Sequence, residues 1–473
     1  GDHGDDEERA ELAGSAADVR GVEEAEALRR AGHNHYHRVL NQQPLDPESA
    51  EDAAELKAVC HNAKHALAMY TWMIYLYMKP CSGGCDLTCF RCFCMGSAER
   101  HPRFRRVLGD NLCGAHEAAL LRLAGIRRGE VVYASFANDV ERKPYGVLVD
   151  HESRAVVVSV RGTLSLEDCI TDAIADEVGL EEAGRAWGFD GTGRRAHAGM
   201  LRAAEWIRRD LQEHGVLHTL LAGYQAAGAQ EPLTSPLNYA CHSYALHVTG
   251  HSLGAGTACL LAWMLRAEFP GLHCFAYGCP GGLVDRRTAD DSRAFTTVAV
   301  LGNDMIPRLS YHSLSNMRTE LLQAVARAKC PKLEVLRSAL HDNPAASEQL
   351  MHPRGEYPRS VFSEGLEKFL ATRTERDGSE HHPEMFPPGV ILVLEKTKDV
   401  RTWCLMRSKA YTPVRCDASA LSSIRVSPSM GLDHFPNTYA YAMARLWRAW
   451  EERSPHAAAA MAHTRTWSSP PEH

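Results

Sequence analysis

A chain of 473 residues, 45% hydrophobic and 23% charged, is long enough to bury a large core and too apolar to remain unfolded. Its net charge of −7 argues against a general nucleic-acid binder, because phosphate recognition calls for a basic surface. Fifteen cysteines without a secretory signal ahead of them read as mostly reduced, cytosol-facing thiols.

Residues 1–55 open on GDHGDDEERAELAGSAADVRGVEEAEALRR, which is acidic, lacks an apolar signal core and reads as a mobile helical lead. Residues 56–130 follow as a helical, cysteine-rich segment. Its most apolar part is HALAMYTWMIYLYMKPCSGGCDLTCFRCFCMGS, 65–97. The uncharged run Ala66 to Met78 falls short of the roughly 20 apolar residues that cross a bilayer, whereas tyrosine and tryptophan favour the headgroup zone. Cys81, Cys85, Cys89, Cys92 and Cys94 then leave three readings. They are a membrane-facing hairpin with acylated thiols, a zinc site of no standard ligand spacing, or a helix packed on the core with incidental thiols.

Residues 131–452 alternate strand-like and helix-like runs, the pattern of a mostly parallel sheet flanked by helices. YGVLVDHESRAVVVSVRGT (145–163) reads as two strands joined by a polar turn, the second buried on both faces. HAGMLRAAEWIRRDLQEH (197–214) reads as an amphipathic helix. In LHVTGHSLGAGTACLLAWML (246–265) the spacing changes from strand to helix at Gly250-His251-Ser252-Leu253-Gly254. A G-x-S-x-G sequence at such a change is the nucleophile elbow of an α/β-hydrolase: a tight turn that strains the serine backbone and is expected to lift Ser252 Oγ into the open. The helix behind it supplies N–H groups suited to an oxyanion.

LHCFAYGCPGG (272–282) and FTTVAVLGNDMIPRL (295–309) read as further strands running into loops. The stretch from about 314 to 387 breaks the rhythm; it is polar, rich in proline and histidine, and reads as an irregular insert. Regular patterning resumes in GVILVLEK (389–396), RTWCLMRS (401–408), a strand SIRVS and a helix TYAYAMARLW. Residues 453–473 read as a disordered tail.

A serine nucleophile needs a base, and the base needs a carboxylate that holds its tautomer. In this fold class the chain order is serine, acid, histidine, with both partners just past strand ends. Asp304 ends the run TTVAVLGND, whereas Asp285, Asp290 and Asp291 suit a solvated turn. His434 precedes the last helix; His341, His352, His381 and His382 fall in the insert. The turn after VVVSV, Arg161-Gly162-Thr163, is either an ordinary strand end or the source of the second oxyanion donor, in which Thr163 offers a backbone N–H and a hydroxyl and Leu253 the other N–H. This chemistry needs no metal or cofactor.

The motifs VVVSVRGTLSLEDCITDAIAD, AHAGMLRAAEWI, VTGHSLGAGTA, CFAYGCPGGL, VAVLGNDMIPRL and RVSPSMGLDHFP resemble the catalytic domain of the sn-1-specific diacylglycerol lipases, in the fungal-lipase-like class 3 group of α/β-hydrolases. The resemblance runs from about Tyr133 to Trp450. It implies Ser252, Asp304 and His434 as the triad, Thr163 in the oxyanion hole, a lid near 173–195, and a regulatory loop in the insert. It also implies release of the sn-1 fatty acid from diacylglycerol, leaving 2-monoacylglycerol. Members of that family begin with transmembrane helices, of which this sequence shows none.

The resulting expectation is a membrane-associated enzyme whose catalytic domain faces the cytoplasm and meets the membrane through residues 65–97. The insert would be a kinase target at Ser338, Ser347, Ser360, Ser363, Thr372 or Thr374. Spacing alone leaves open a phospholipase A1, a triacylglycerol lipase, or a catalytically silent lipid-sensing scaffold.

Overall fold

The computed structural model describes residues 42–94, 107–108, 111–139, 142–163, 177–221, 241–331, 333–334, 337, 349–353, 358, 360–376, 383–400 and 408–456. Internal contacts divide the chain between Gln43 and Pro44, and everything below concerns the second unit.

Nine of its strands form the central sheet: β1 (Val107–Leu108), β2 (Val131–Ser135), β3 (Tyr145–Asp150), β4 (Ala155–Val160), β5 (Ala245–His251), β6 (His273–Tyr277), β7 (Thr296–Leu301), β8 (Val390–Val400) and β9 (Ser408–Cys416). In space these nine lie in chain order, from β1 to β9. The five strands β4 to β8 are parallel; β3 runs antiparallel to both β2 and β4, β9 runs antiparallel to β8, and β1 pairs parallel with β2. Every residue of β2, β3, β4 and β7 is buried, as expected of strands covered on both faces. This is the α/β-hydrolase architecture the alternating pattern implies.

Two helical layers cover it. On one face, α1 (Ala50–Ala68) and α8 (Pro436–Glu451) bury Leu56, Val59, Ala63, Tyr439, Met443 and Trp447 against Phe275, Tyr277, Ala299, Leu301, Leu392 and Leu394. Those sheet residues are two apart on each strand and so share a face. On the other, α4 (Ala198–Glu213) packs on α5 (Leu253–Arg266), whose Cys259 meets Cys274, the neighbour of Phe275. Between α1 and α4 in the chain lie α2 (Thr71–Met78) and α3 (Ala115–Ala124), which join a second cluster with Met69, Val131, Leu148 and Val157.

The structure changes several expectations. The boundary at 55 falls inside α1, which starts from an N-cap at Ser49 whose side chain accepts from Asp52 N; the helix belongs to the hydrolase core, not to a lead. The apolar stretch is broken after Ala68, where Thr71 adopts φ 56°, so that Leu67, Met69 and Tyr70 turn inward while Trp72, Tyr77 and Phe93 face outward. Packing on the core thus describes most of Ala66 to Tyr70. The cysteines of this unit that are described are free thiols, with Cys81, Cys85, Cys89 and Cys92 exposed; the Cys94 side chain lies outside the described residues.

SIRVS is not a strand: residues 424–427 are irregular, and Ile424 packs near Ile306 and Leu309 rather than in the sheet. The insert is not wholly irregular either. It carries α6 (Tyr311–Arg327), capped by reciprocal Ser310 and Ser313 bonds, and α7 (Val361–Arg376), with Arg318 lying 4.9 Å over the Phe369 ring. Residues 1–41, 401–407 and 457–473, including most of RTWCLMRS, lie outside the described residues, as do Ser338 and Ser347.

Candidate active site

Strand β5 ends in the elbow. Ser252 takes φ 60° and ψ −131°, a backbone region that L-residues other than glycine rarely enter. Its two glycines are required by close approach. A Cβ on Gly250 would stand 2.3 Å from Gly254 O, and one on Gly254 would stand 2.4 Å from Val160 O. The end of β4 is therefore pressed against the first turn of α5. Thr163 follows that strand end, and Leu253 opens the helix, where the first-turn N–H groups have no intrahelical acceptor.

The sequence-predicted partners converge on this turn. His434, in a short 3-10 turn over Leu432–His434, sets Nε2 2.9 Å from Ser252 Oγ. Its Nδ1 lies 3.0 Å from both carboxylate oxygens of Asp304. Asp285, by contrast, caps the short helix Arg286–Asp291 by accepting from Thr288 N, and Asp290 and Asp291 end that helix. Asp304 is fully buried and well supplied with donors: Tyr439 Oη gives one at 2.6 Å, and the Ile306 N–H gives another at 2.9 Å. Burial pushes the Asp304 carboxyl up, yet the adjacent His434 and these hydrogen bonds outweigh it and hold the group below its ordinary value. Asp304 is thus a carboxylate, able to fix the His434 tautomer with Nε2 free to take a proton from serine.

Ser252 is not in the open. It is 1% exposed and His434 7%, so the elbow is closed over. The reason is visible at Gly162, where a Cβ would meet His251 O at 2.3 Å, Tyr70 Oη at 2.6 Å and Ser252 Cβ at 3.2 Å. The chain after α1 thus brings Tyr70 right up to the elbow. The described part of the expected lid, 177–195, packs alongside α5, where Arg194 pairs with Asp291 and covers Trp263; residues 173–176 lie outside the described residues.

Four supporting groups were not anticipated. Tyr70 Oη hydrogen-bonds His251 Nδ1 at 2.8 Å, and the His251 ring lies 4.8 Å from that of His434. Burial and the neighbouring His434 push His251 down to about 3, so it stays neutral. Asp433, one residue before His434, is buried; it pairs with Lys396 of β8 and accepts from Asn303 N at 3.0 Å and Ser429 Oγ at 3.0 Å. Arg308 donates to Asp304 O at 2.5 Å and Gly302 O at 3.2 Å, pinning the loop that holds the acid. Asp433 and His251 could have been suspected from sequence, by adjacency to His434 and Ser252, and Arg308 lies four residues after Asp304; Tyr70 arrives from a distant segment.

Around this closed centre lies apolar surface. Leu432 and Phe435, which flank His434, are exposed, and the Tyr77 ring of α2 stacks on Phe435 with centroids 6.2 Å apart. Among the described residues no helix is long and apolar enough to cross a membrane.

A strained serine between strand and helix, with a histidine and a buried carboxylate in line behind it on a mostly parallel sheet, defines a hydrolase of the α/β fold. The chain matches the family described as Lipase (class 3) over residues 157–314, a span that includes Thr163, Ser252, Leu253 and Asp304. It is 31% identical over 412 residues to human diacylglycerol lipase-alpha, covering 84% of this chain and 36% of that protein. Mouse diacylglycerol lipase-beta is 29% identical over 423 residues, covering 86% of this chain and 59% of its own length. The chain therefore spans only part of the curated relatives it matches. Among solved structures, a mono- and diacylglycerol lipase from Aspergillus oryzae is 20% identical with a TM-score of 0.34, covering 54% of this chain and 74% of that one. Residues 157–314 thus match the class 3 lipase family, and the chain is similar to the diacylglycerol lipases.

Proposed function

We propose that the protein is a membrane-associated serine lipase that hydrolyses the sn-1 ester of diacylglycerol, giving 2-monoacylglycerol and a free fatty acid. The observation that carries the reading is the unbroken path from Ser252 Oγ through His434 to Asp304 at a strained elbow. Ser252 attacks the ester carbonyl while His434 Nε2 takes its proton. Asp304 holds the ring and stabilises the imidazolium. The N–H groups of Leu253 and Thr163, with the Thr163 hydroxyl, receive the oxyanion. His434 returns the proton to the departing glyceride oxygen, and water, activated by the same ring, then releases the acid from the acyl-enzyme. No cofactor enters these steps. A silent scaffold would have no use for the strained serine. The choice of diacylglycerol rests on the likeness to relatives that bear that name.

Access requires movement, since Ser252 is covered. The insert, about 314–387, leaves the sheet just after Asp304, and its Leu314 packs near Ile306 and Leu309. It is proposed as the regulatory segment that gates the acyl path, with the stretch near 173–195 as lid. A kinase acting on the insert would find Ser360 exposed, whereas Ser363 is buried at the start of α7. Residues 65–97 and the rim of Leu432 and Phe435 form the proposed membrane-facing surface, with the catalytic unit on the cytoplasmic side.

The test is labelling with a fluorophosphonate and product analysis on diacylglycerol carrying different acyl chains at its two positions. Labelling lost in Ser252→Ala, with release of the sn-1 chain by wild type, is expected. Preference for a phospholipid or a triacylglycerol would move the assignment to the neighbouring activities.

A further inference from the structure

On the sheet side of α1, away from Ser252, two histidines and an aspartate meet. His61 and His65 are four residues apart and so share one helical face. Asp150 ends β3 at the turn into β4. The Nε2 atoms of His61 and His65 stand 2.5 Å and 3.0 Å from the same oxygen, Asp150 Oδ2. One ligand atom from each residue falls within 4.8 Å of the others. His65 is fully buried, Asp150 nearly so, and His61 is open along one edge.

As a purely hydrogen-bonded cluster this is overloaded. Asp150 Oδ2 also takes the Ser153 hydroxyl at 2.8 Å, which makes three donors on an oxygen with about two lone-pair positions. Asp150 Oδ1 is occupied by Glu152 N at 3.0 Å and Ser153 N at 3.4 Å, so it cannot relieve the crowding. A cation between the three side chains would replace both imidazole protons and bind the two Nε2 lone pairs and Oδ2 directly. Glu152 Oε1 lies 3.7 Å from His61 Nδ1, where a carboxylate would orient a ligating ring, and Lys64 pairs with its other oxygen at 3.4 Å.

We propose that His61, His65 and Asp150 form a binding site for a divalent transition metal of the zinc type. Two imidazoles and one carboxylate suit zinc rather than calcium or magnesium, which take oxygen ligands, and water completes the tetrahedron. The ion would tie α1 to the β3–β4 turn. One turn further along the chain, Tyr70 contacts the elbow, so the ion stiffens the support of the active site without touching substrate.

Competing thiols must be removed from the measurement, because they too bind zinc. In the full chain with Cys81, Cys85, Cys89, Cys92, Cys94, Cys113 and Cys330 replaced by serine, zinc is titrated in competition with a chromophoric chelator. The expected result is one equivalent bound, a visible cobalt spectrum without a thiolate charge-transfer band, and a rise in melting temperature on adding zinc. His61→Gln, at the most exposed ligand, keeps an amide donor toward Asp150. It should leave the metal-free melting temperature unchanged and weaken zinc binding at least about tenfold. No zinc uptake by the serine-substituted chain, or equal uptake by His61→Gln, overturns the proposal.

Discussion

The hydroxyl of Tyr70 is hydrogen-bonded to Nδ1 of His251, 2.8 Å away, and so joins the chain just after α1 to the residue immediately before Ser252. Both side chains are buried, and His251 Nε2 has no partner among the described residues. Tyr70→Phe therefore leaves a buried imidazole without its one described hydrogen bond, which costs about 1–3 kcal/mol. Calorimetry should show a lower melting temperature, together with slower probe labelling of Ser252. Unchanged values for both would mean that the contact does not support the elbow.

Tyr439 acts on the other side of the site. Tyr439→Phe removes the 2.6 Å donor to Asp304 Oδ2 while keeping the ring in the core. A loss of about 1–2 kcal/mol in positioning corresponds to roughly a tenfold fall in kcat. Because that donor helps to hold the Asp304 carboxyl down, the acid limb of the pH–rate profile should also move to higher pH. A fall in rate without this displacement would point to packing alone.

The same depression of Asp304 predicts how stability depends on pH. A carboxyl whose folded value lies below its unfolded one, near 3.9, stabilises the fold above that unfolded value. The contribution is lost as pH falls through the folded value. The melting-temperature difference between wild type and Asp304→Asn should accordingly be largest above about pH 4 and close in stronger acid. A difference that grows with acidity would contradict the ionised form of Asp304.

Lys396→Met tests the loop that carries His434. Asp433 is buried against Lys396, and removing one partner of such a pair costs about 3–5 kcal/mol. The variant should melt well below wild type. If it instead melts normally and turns over normally, the pair does not position His434.

Much of this site is legible in the sequence because its chemistry is concentrated in short segments. Gly250 to Gly254 change period at the serine, and Asp304 follows an apolar run, so local pattern and role coincide. The strand expected before His434 is absent: Ile424 and Val426 have strand-like side chains, but residues 424–427 are irregular and Ile424 packs near Ile306 and Leu309. Strand β9 is hard to see in the sequence because Lys409, Pro413 and Arg415 give it a polar, proline-broken look. Tyr70, His61 and His65 were illegible for a different reason. Their meaning depends on contacts with His251 and Asp150, 181, 89 and 85 residues away, and no local spacing encodes such pairings.

The most direct test of the central claim is the hydrolysis of a bilayer diacylglycerol with distinguishable acyl chains, compared between wild type and Ser252→Ala. Only a hydroxyl is removed from the elbow, so the variant should fold and melt as wild type does. Wild type should release the sn-1 acid and accumulate 2-monoacylglycerol, while Ser252→Ala should lose turnover by several orders of magnitude. Hydrolysis by Ser252→Ala at an undiminished rate, or release of the sn-2 chain first by wild type, would contradict the account.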